Sequence, residues 1–389
     1  MGALSATGAA HDSSSSRYYR PELDALRFFA FLAVFAFHRM DYVPTDPVKD
    51  VWSFRFGTIG AFGVPVFFLL SAFLITELLL RERERTGRVH VGAFYVRRIL
   101  RIWPLYFLTF YGLALLNRFV PGTGADNPVA WLAFSFFSGN WYVTVHGWIA
   151  GPVDPLWSIS VEEQFYIAIP LLVALGGRRA LLVTSYLLLL AAYVAIFLYG
   201  LHRSPGDHGE WTNSFVQFQF FSAGTLIALF LRGRLVRPPI ALRLCGFLLG
   251  IGCWLTAMIH FRVQSWDPQP AAAGSVIGWL LVLAGTVLLF LCTLGAPSRL
   301  VPRWLAYFGR ISYGLYLFHS LVFFLVFEKA GPYFDRLMPE VHLPAMLRNA
   351  LGTVTVLVLS LVLAHLSFVY FEAFFLRLKQ RFTFVRARD

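Results

Sequence analysis

Ten runs of about twenty mostly apolar residues constrain the fold of this chain more than any other feature of its sequence. A helix needs roughly 20 such residues to cross the hydrocarbon core of a bilayer. Hydrophobic residues make up 58% of the 389 residues and charged residues 14%, so a water-soluble fold would lack the interior to bury this apolar surface. We predict an all-α polytopic membrane helix bundle of about ten transmembrane helices, covering roughly 24–42, 58–80, 102–119, 157–176, 181–200, 212–231, 241–260, 273–294, 307–327 and 347–370.

The distribution of basic residues predicts how this bundle is oriented. If the N-terminus lies inside, the inner segments carry more than two thirds of the 33 Lys and Arg residues. Basic loops stay in the cytoplasm because they resist translocation. We therefore expect both termini on the cytoplasmic side of a multi-pass protein of the inner (cytoplasmic) membrane.

One further apolar and aromatic segment, residues 128–150, does not fit this pattern. If it crossed the membrane, every later basic loop would face outward, against the charge asymmetry. Its Trp and Tyr residues suit the membrane–water interface. We predict a re-entrant or interfacial segment on the outer side.

Composition also predicts the domain limits and excludes some partners. We expect a disordered cytoplasmic tail at 1–16, a transmembrane domain at 17–376 and a basic cytoplasmic tail at 377–389. A net charge of +12 would indicate nucleic acid in a soluble protein, but here the inner loops account for it, so membrane lipid is the expected partner. The three cysteines show no metal-ligand spacing, and we expect no metal.

Arg27 and His38 are ionisable residues of the first run. Charge at bilayer depth costs about 2.5–3.5 kcal/mol, so each of the two side chains needs a structural or functional reason to be there. They are eleven residues apart, which is about three helical turns or roughly 16 Å, so they face nearly the same direction. This spacing suits a tunnel with an anion at its inner mouth and proton chemistry deeper inside. The alternatives are that Arg27 extends to the headgroups and that His38 is a hydrogen-bonded packing residue.

Carboxylates and arginines near later runs are further candidates. Glu162 and Glu163 are adjacent, hence about 100° apart on a helix, and cannot both line one cavity. Seven arginines lie between 81 and 101, and the last three abut the next run: Arg97, Arg98 and Arg101. Because arginine binds phosphate through two parallel hydrogen bonds, a phosphate-rich cytosolic ligand could dock there. The sequence has neither a Gly-rich phosphate loop nor a G-x-S-x-G nucleophile motif.

Five segments, in order, resemble the motifs of the acyltransferase-3 family, whose members are integral membrane acyltransferases acting on sugars, macrolides, Nod factors and O-antigens. The first is YRPELDALR followed by ten residues and His38, which resembles the family's R-x10-H signature. The others are GVPVFFLLSAFLI (63–75), FYVRRILRIWPLY (94–106), LWSISVEEQFY (156–166) and FGRISYGLYLFH (308–319). The resemblance runs from about Tyr19 to Glu372.

The resemblance implies roles for particular residues. His38 is the expected catalytic residue, with Arg27 essential beside it and Glu162 as the matching carboxylate. Arg97, Arg98 and Arg101 match positions associated with the acyl donor. His319 matches a family histidine, and we assign substrate binding to His319, Trp157 and Tyr166. The sequence departs from the family pattern at three positions, Ala25, Ala72 and Ala373.

The resemblance further implies the transfer of an acyl group from cytosolic acyl-CoA to a hydroxyl of a sugar or a glycosylated acceptor. Acetyl-CoA is the expected donor co-substrate. His38 would act as a general base toward the acceptor or form a covalent acyl-histidine. The alternative function is a proton-coupled secondary transporter or exporter in which Arg27, His38 and Glu162 form a proton relay.

Overall fold

The structure is a computed structural model that describes residues 19–43, 45–46, 48–149, 151–202, 209–234, 237–264, 271–337 and 344–383. Within these ranges all regular secondary structure is helical, with turns and loops between the helices, and there is no β-strand. The predicted disordered tail at 1–16 and the last six residues of the predicted basic tail lie outside the described residues.

Long and short helices follow one another along the chain. They are α1 (Pro21–Tyr42), α2 (Val51–Ile59), α3 (Gly63–Thr86), α4 (Val91–Leu116), α5 (Pro128–Ser135), α6 (Gly139–His146), α7 (Trp157–Leu201), α8 (Gly209–Thr212), α9 (Ser214–Leu231), α10 (Ile240–Ile259), α11 (Ala272–Thr293), α12 (Arg303–Arg310), α13 (Ser312–Phe323), α14 (Gly331–Leu337), α15 (Ala345–Leu366) and α16 (Ala373–Gln380). Single 3₁₀ turns cover Gly60–Phe62, Asp154–Leu156 and Ser298–Leu300, and π-helical turns cover Phe324–Ala330 and Ser367–Glu372.

Eight of the described helical stretches are long and apolar enough to cross a membrane. One of them contains α7, which is two helices joined at Gly177, where φ is +57° and ψ is −141°. Helix α1 is long enough but carries five charged residues, so it falls outside the eight. With α7 divided and α1 added, each of the ten predicted runs corresponds to a helix. The prediction of an all-α, multi-pass membrane bundle is confirmed.

The segment predicted to be re-entrant forms two short helices, α5 and α6, and residue 150 lies outside the described part. Each helix has eight residues, which is about 12 Å of rise and too short to cross a bilayer of roughly 30 Å. Phe137 makes the turn between them with a positive φ of 53°. The Tyr106 hydroxyl of α4 donates to the Phe134 carbonyl at 2.8 Å and holds the pair against the bundle.

Helix α16 extends into the region predicted as a basic tail and lies against α4. The Arg97 guanidinium donates to the Phe382 carbonyl at 2.7 Å, across 285 residues of sequence. Residues near both described ends of the chain, Arg20 before α1 and Thr383 after α16, line the same cavity, so the ends lie on one side of the bundle, as the charge distribution predicts.

A close backbone contact holds α12 against the first turn of α1. A Cβ atom built on Gly309 would lie 1.8 Å from the Asp24 carbonyl oxygen and 2.8 Å from its Cα. Both obstructing atoms are backbone, so no side-chain rotation can make room. Only glycine allows the two helices to cross at this distance.

We predict that Gly309→Ala separates α12 from α1 and lowers the melting temperature of the detergent-purified protein. The matched control is Gly112→Ala in α4, where a Cβ would meet nothing within 4 Å. Alanine is a better helix former than glycine by about 1 kcal/mol, so the control should melt at the same temperature or higher. If Gly309→Ala has the same melting temperature as the wild type, the close contact between α12 and α1 is contradicted.

Candidate active site

A cavity of about 640 Å³ lies between α1, α3, α4, α7, α12, α13 and α16. Each of these helices contributes inward-facing side chains to the wall, and most of the wall is apolar or aromatic. At one side of the cavity α1 begins and α16 ends, and at the other lie the first turn of α7 and the middle of α13. The cavity therefore runs from the side of the chain termini into the bundle.

The part of the cavity near the termini, which we call the basic end, is rich in cations. Only two carboxylates line the whole cavity among the described residues, Asp24 and Glu162. The basic end comprises Arg20, Arg27, Arg98, Arg101, Arg310, Arg377 and Lys379. This excess of positive charge in a recess with low-dielectric walls attracts polyanions.

Arg27 faces this cavity and is held by a buried carboxylate. Its guanidinium donates to Asp24 Oδ1 at 2.7 Å, one turn earlier on α1, and the Asp24 side chain is 1% exposed. The Arg27 side chain therefore points into the interior of the bundle and does not extend to lipid headgroups.

The three arginines of α4 that the sequence singles out lie in different environments. Arg97 donates to Glu82 at 2.9 Å as well as to the Phe382 carbonyl, and it is not part of the cavity wall. Arg98 and Arg101 line the cavity. The Arg98 guanidinium lies 5.7 Å from the centre of the Tyr166 ring, and its buried Nε atom has no hydrogen-bond partner.

Arg101 makes contacts that fix its position at the basic end. It pairs with Glu372 at 3.5 Å and donates to the Arg310 carbonyl at 3.3 Å. Glu372 is 5% exposed, so this ion pair joins α4 to the end of the last long helix inside the protein. Arg310 also has a buried Nε atom without a hydrogen-bond partner.

The two adjacent glutamates of α7 point in different directions, as their helical spacing predicts. Glu162 lines the cavity and accepts a hydrogen bond from the Tyr166 hydroxyl, which also contacts the Ser71 hydroxyl at 2.5 Å. Glu163 turns away from the cavity and accepts from Trp103 Nε1 at 3.0 Å. The cavity-facing carboxylate is therefore the one that sequence analysis selected.

His38 and His319 are in direct contact inside the bundle. His319 Nε2 lies 3.2 Å from His38 Nδ1, and the two ring centres are 4.9 Å apart. His38 Nδ1 is also 3.0 Å from the Val34 carbonyl, and His319 Nδ1 is 2.7 Å from the Tyr316 carbonyl. His319 is fully buried.

These contacts assign the protons of both rings. A carbonyl oxygen can only accept, so each Nδ1 atom carries the hydrogen. The Nδ1–H of His38 is then shared between two acceptors, the Val34 carbonyl at 3.0 Å and His319 Nε2 at 3.2 Å. The same assignment leaves the Nε2 atom of His38 without a hydrogen, so this atom can act as a base.

Tyr316 connects the cavity to the histidine pair. Its ring centre is 5.7 Å from that of His319, while its hydroxyl contacts the Ser158 hydroxyl at 2.7 Å. Tyr316 and Ser158 line the cavity, whereas neither histidine does. We call this part, formed by Tyr316 and Ser158, the histidine end.

A further predicted site residue lies outside the cavity wall, and three residues that line the cavity were not predicted as site residues. Trp157 is 4% exposed and packs edge-on against Phe68, so it supports the bundle from outside the cavity wall. Arg310 and Tyr316 were missed, although both lie within the motif-like segment 308–319. Lys379 was missed because no motif covers α16.

Comparison with known proteins places the chain in a family. The model of the family described as an acyltransferase domain, acyltransferase-3, matches residues 20–365. Peptidoglycan O-acetyltransferase OatA of Listeria monocytogenes is 28% identical over 327 residues, which are 78% of this chain and 49% of that protein. Putative peptidoglycan O-acetyltransferase YrhL of Bacillus subtilis is 27% identical over 87% of this chain and 54% of its own length.

A third relative differs in length from these two. Nodulation protein 10 of Rhizobium leguminosarum bv. viciae is 28% identical over 81% of this chain and 85% of its own length. The chain thus spans about half the length of the two O-acetyltransferase relatives and most of the nodulation protein. No solved structure matches it significantly. From the family match over most of its length, this membrane protein belongs to the acyltransferase-3 family.

Proposed function

We propose that the protein is a membrane O-acyltransferase that transfers an acyl group, acetyl by analogy with its relatives, from cytosolic acyl-CoA to a hydroxyl of a sugar acceptor. One observation carries the proposal: a single cavity joins seven cationic residues at its basic end to Tyr316, which packs against the His38–His319 pair. The names of the O-acetyltransferase relatives support acetyl as the group and a glycan as the acceptor.

In this proposal the basic end holds the phosphates of the donor. Arg98 and Arg310 line this end and make no ion pair with a carboxylate among the described residues, and phosphate oxygens are suitable acceptors for their guanidinium groups. The pantetheine arm extends past Arg27 along α1, and the thioester reaches the histidine end. Eleven residues separate Arg27 from His38, or about 16 Å of helix.

His38 would act as the general base through its Nε2 atom. The acceptor hydroxyl gives its proton to Nε2 while its oxygen attacks the thioester carbonyl carbon. The carbon–sulfur bond then breaks, and the departing CoA thiolate takes up the proton from the imidazolium. An ester and CoA–SH are the products, and His38 returns to its starting state. Proton transfer of this kind contributes about 10²–10⁴-fold to the rate.

His319 would position His38 rather than bind substrate. Its buried ring shares the Nδ1–H of His38 with the Val34 carbonyl, and the two acceptors together hold the imidazole in the tautomer that keeps Nε2 unprotonated. The carboxylate of Glu162, which faces the cavity beside Tyr166, would orient the acyl end of the donor or the acceptor hydroxyl.

We predict that His38→Gln reduces acyl transfer by at least about 100-fold, because the general base is lost. The measurement is incorporation of radiolabelled acetyl groups from acetyl-CoA into base-labile esters of the glycan fraction, in membranes with matched expression. The control is His260→Gln, at the exposed end of α10. Full activity of His38→Gln would remove His38 from the chemistry.

We predict that His319→Phe lowers kcat about tenfold, the effect of losing a hydrogen bond of about 1.4 kcal/mol, and leaves the KM for acetyl-CoA unchanged. His319→Gln should recover much of kcat because its amide oxygen can accept from His38 Nδ1–H. An increase in KM with unchanged kcat would instead place His319 in ligand binding.

We predict that Arg27→Gln both destabilises the protein and weakens CoA binding. Loss of the guanidinium removes a cation from the buried Asp24, and breaking a buried ion pair in this way costs about 3–5 kcal/mol. The double variant Arg27→Gln/Asp24→Asn also removes the buried negative charge and should restore the melting temperature but not the affinity for CoA. If the double variant binds CoA as the wild type does, Arg27 serves only the fold.

A further inference from the structure

Helix α16 contributes to the cavity although it lies beyond residue 365, where the match to the family model ends. About two turns of this segment present Arg377, Lys379, Gln380 and Thr383 to the basic end. Nothing in the motif-like segments or in the relatives' names assigns a role to these residues.

The segment is fixed in place by α4. Arg97, held by Glu82 on one side, donates to the Phe382 carbonyl at 2.7 Å. The Thr383 hydroxyl donates to the Lys379 carbonyl at 3.1 Å and closes the last turn. The backbone that carries Lys379 is therefore anchored to the same helix that carries Arg98 and Arg101.

Lys379 lies among cations. The charges of Arg98, Arg101, Arg97 and Arg27 all act on its ammonium group. Arg27, Arg97 and Arg101 each have a carboxylate partner, namely Asp24, Glu82 and Glu372. Within the described part of the chain, Lys379 makes no ion pair with a carboxylate. Each like-charge pair at short range costs about 1 kcal/mol or more, depending on the local dielectric.

A cluster of this kind is unfavourable until an anion enters it. A dense set of phosphates neutralises several cations at once, and lysine contributes a compact point charge with three donors beside the planar forks of the arginines. We propose that Lys379 is a phosphate ligand of the donor and that α16 forms one wall of the phosphate subsite. This inference rests on the proposed function, because it takes a CoA thioester as the polyanion.

The test measures binding of CoA itself to the purified full chain in detergent by titration calorimetry, which requires no acceptor. Lys379→Gln should weaken CoA binding about tenfold, while Lys379→Arg retains most of the affinity because the charge remains. The KM for acetyl-CoA should rise in parallel, with kcat at saturating donor unchanged. The matched control is Arg381→Gln, an exposed cation two residues further along the chain that does not line the cavity.

Stability without ligand provides a second readout. Removal of a cation from the cluster should leave the melting temperature of the CoA-free protein equal to or above that of the wild type. A clear fall would assign Lys379 to the fold and contradict a ligand role. If the wild type binds CoA and Lys379→Gln binds it equally well, this inference is wrong while the proposed function stands. If the wild type does not bind CoA, the proposed function fails with it.

Discussion

The cost of placing charge inside a membrane governs this structure. Arg27, which faces the bundle from α1, is paired with Asp24 at 2.7 Å. Arg101 is paired with Glu372 and Arg97 with Glu82. Arg98 and Arg310 line the same recess without a carboxylate partner in the described part of the chain, and an anionic ligand would supply the missing negative charge.

The same cavity separates two kinds of chemistry along the length of α1. The basic end suits recognition of phosphates, while at the other end Tyr316 and the His38–His319 pair suit proton transfer. A donor that is highly charged at one end and uncharged at its reactive end matches this division. A thioester delivered into the bundle also escapes bulk water, which would compete with a sugar hydroxyl as the acceptor.

Much of the fold was predictable because hydrophobic run length and basic loops are local signals. The ten runs and the different directions of Glu162 and Glu163 follow from run length and helix geometry, whereas the choice of Glu162 came from the family resemblance. The site was only partly predictable, because it depends on which helices pack together. Arg97 and Arg98 are neighbours in sequence, yet one anchors α16 and the other faces the cavity. Lys379 meets α4 across more than 270 residues, and no local pattern reports such a contact.

The most direct measurement is a cryo-electron microscopy structure of the full chain in a lipid nanodisc with a non-hydrolysable thioether analogue of acetyl-CoA. We predict phosphate density among Arg98, Arg101, Arg310 and Lys379, an arm passing Arg27, and the acyl mimic beside Tyr316 within reach of His38 Nε2. Density for the acyl mimic outside this cavity, or phosphates bound away from the basic end, would contradict this prediction.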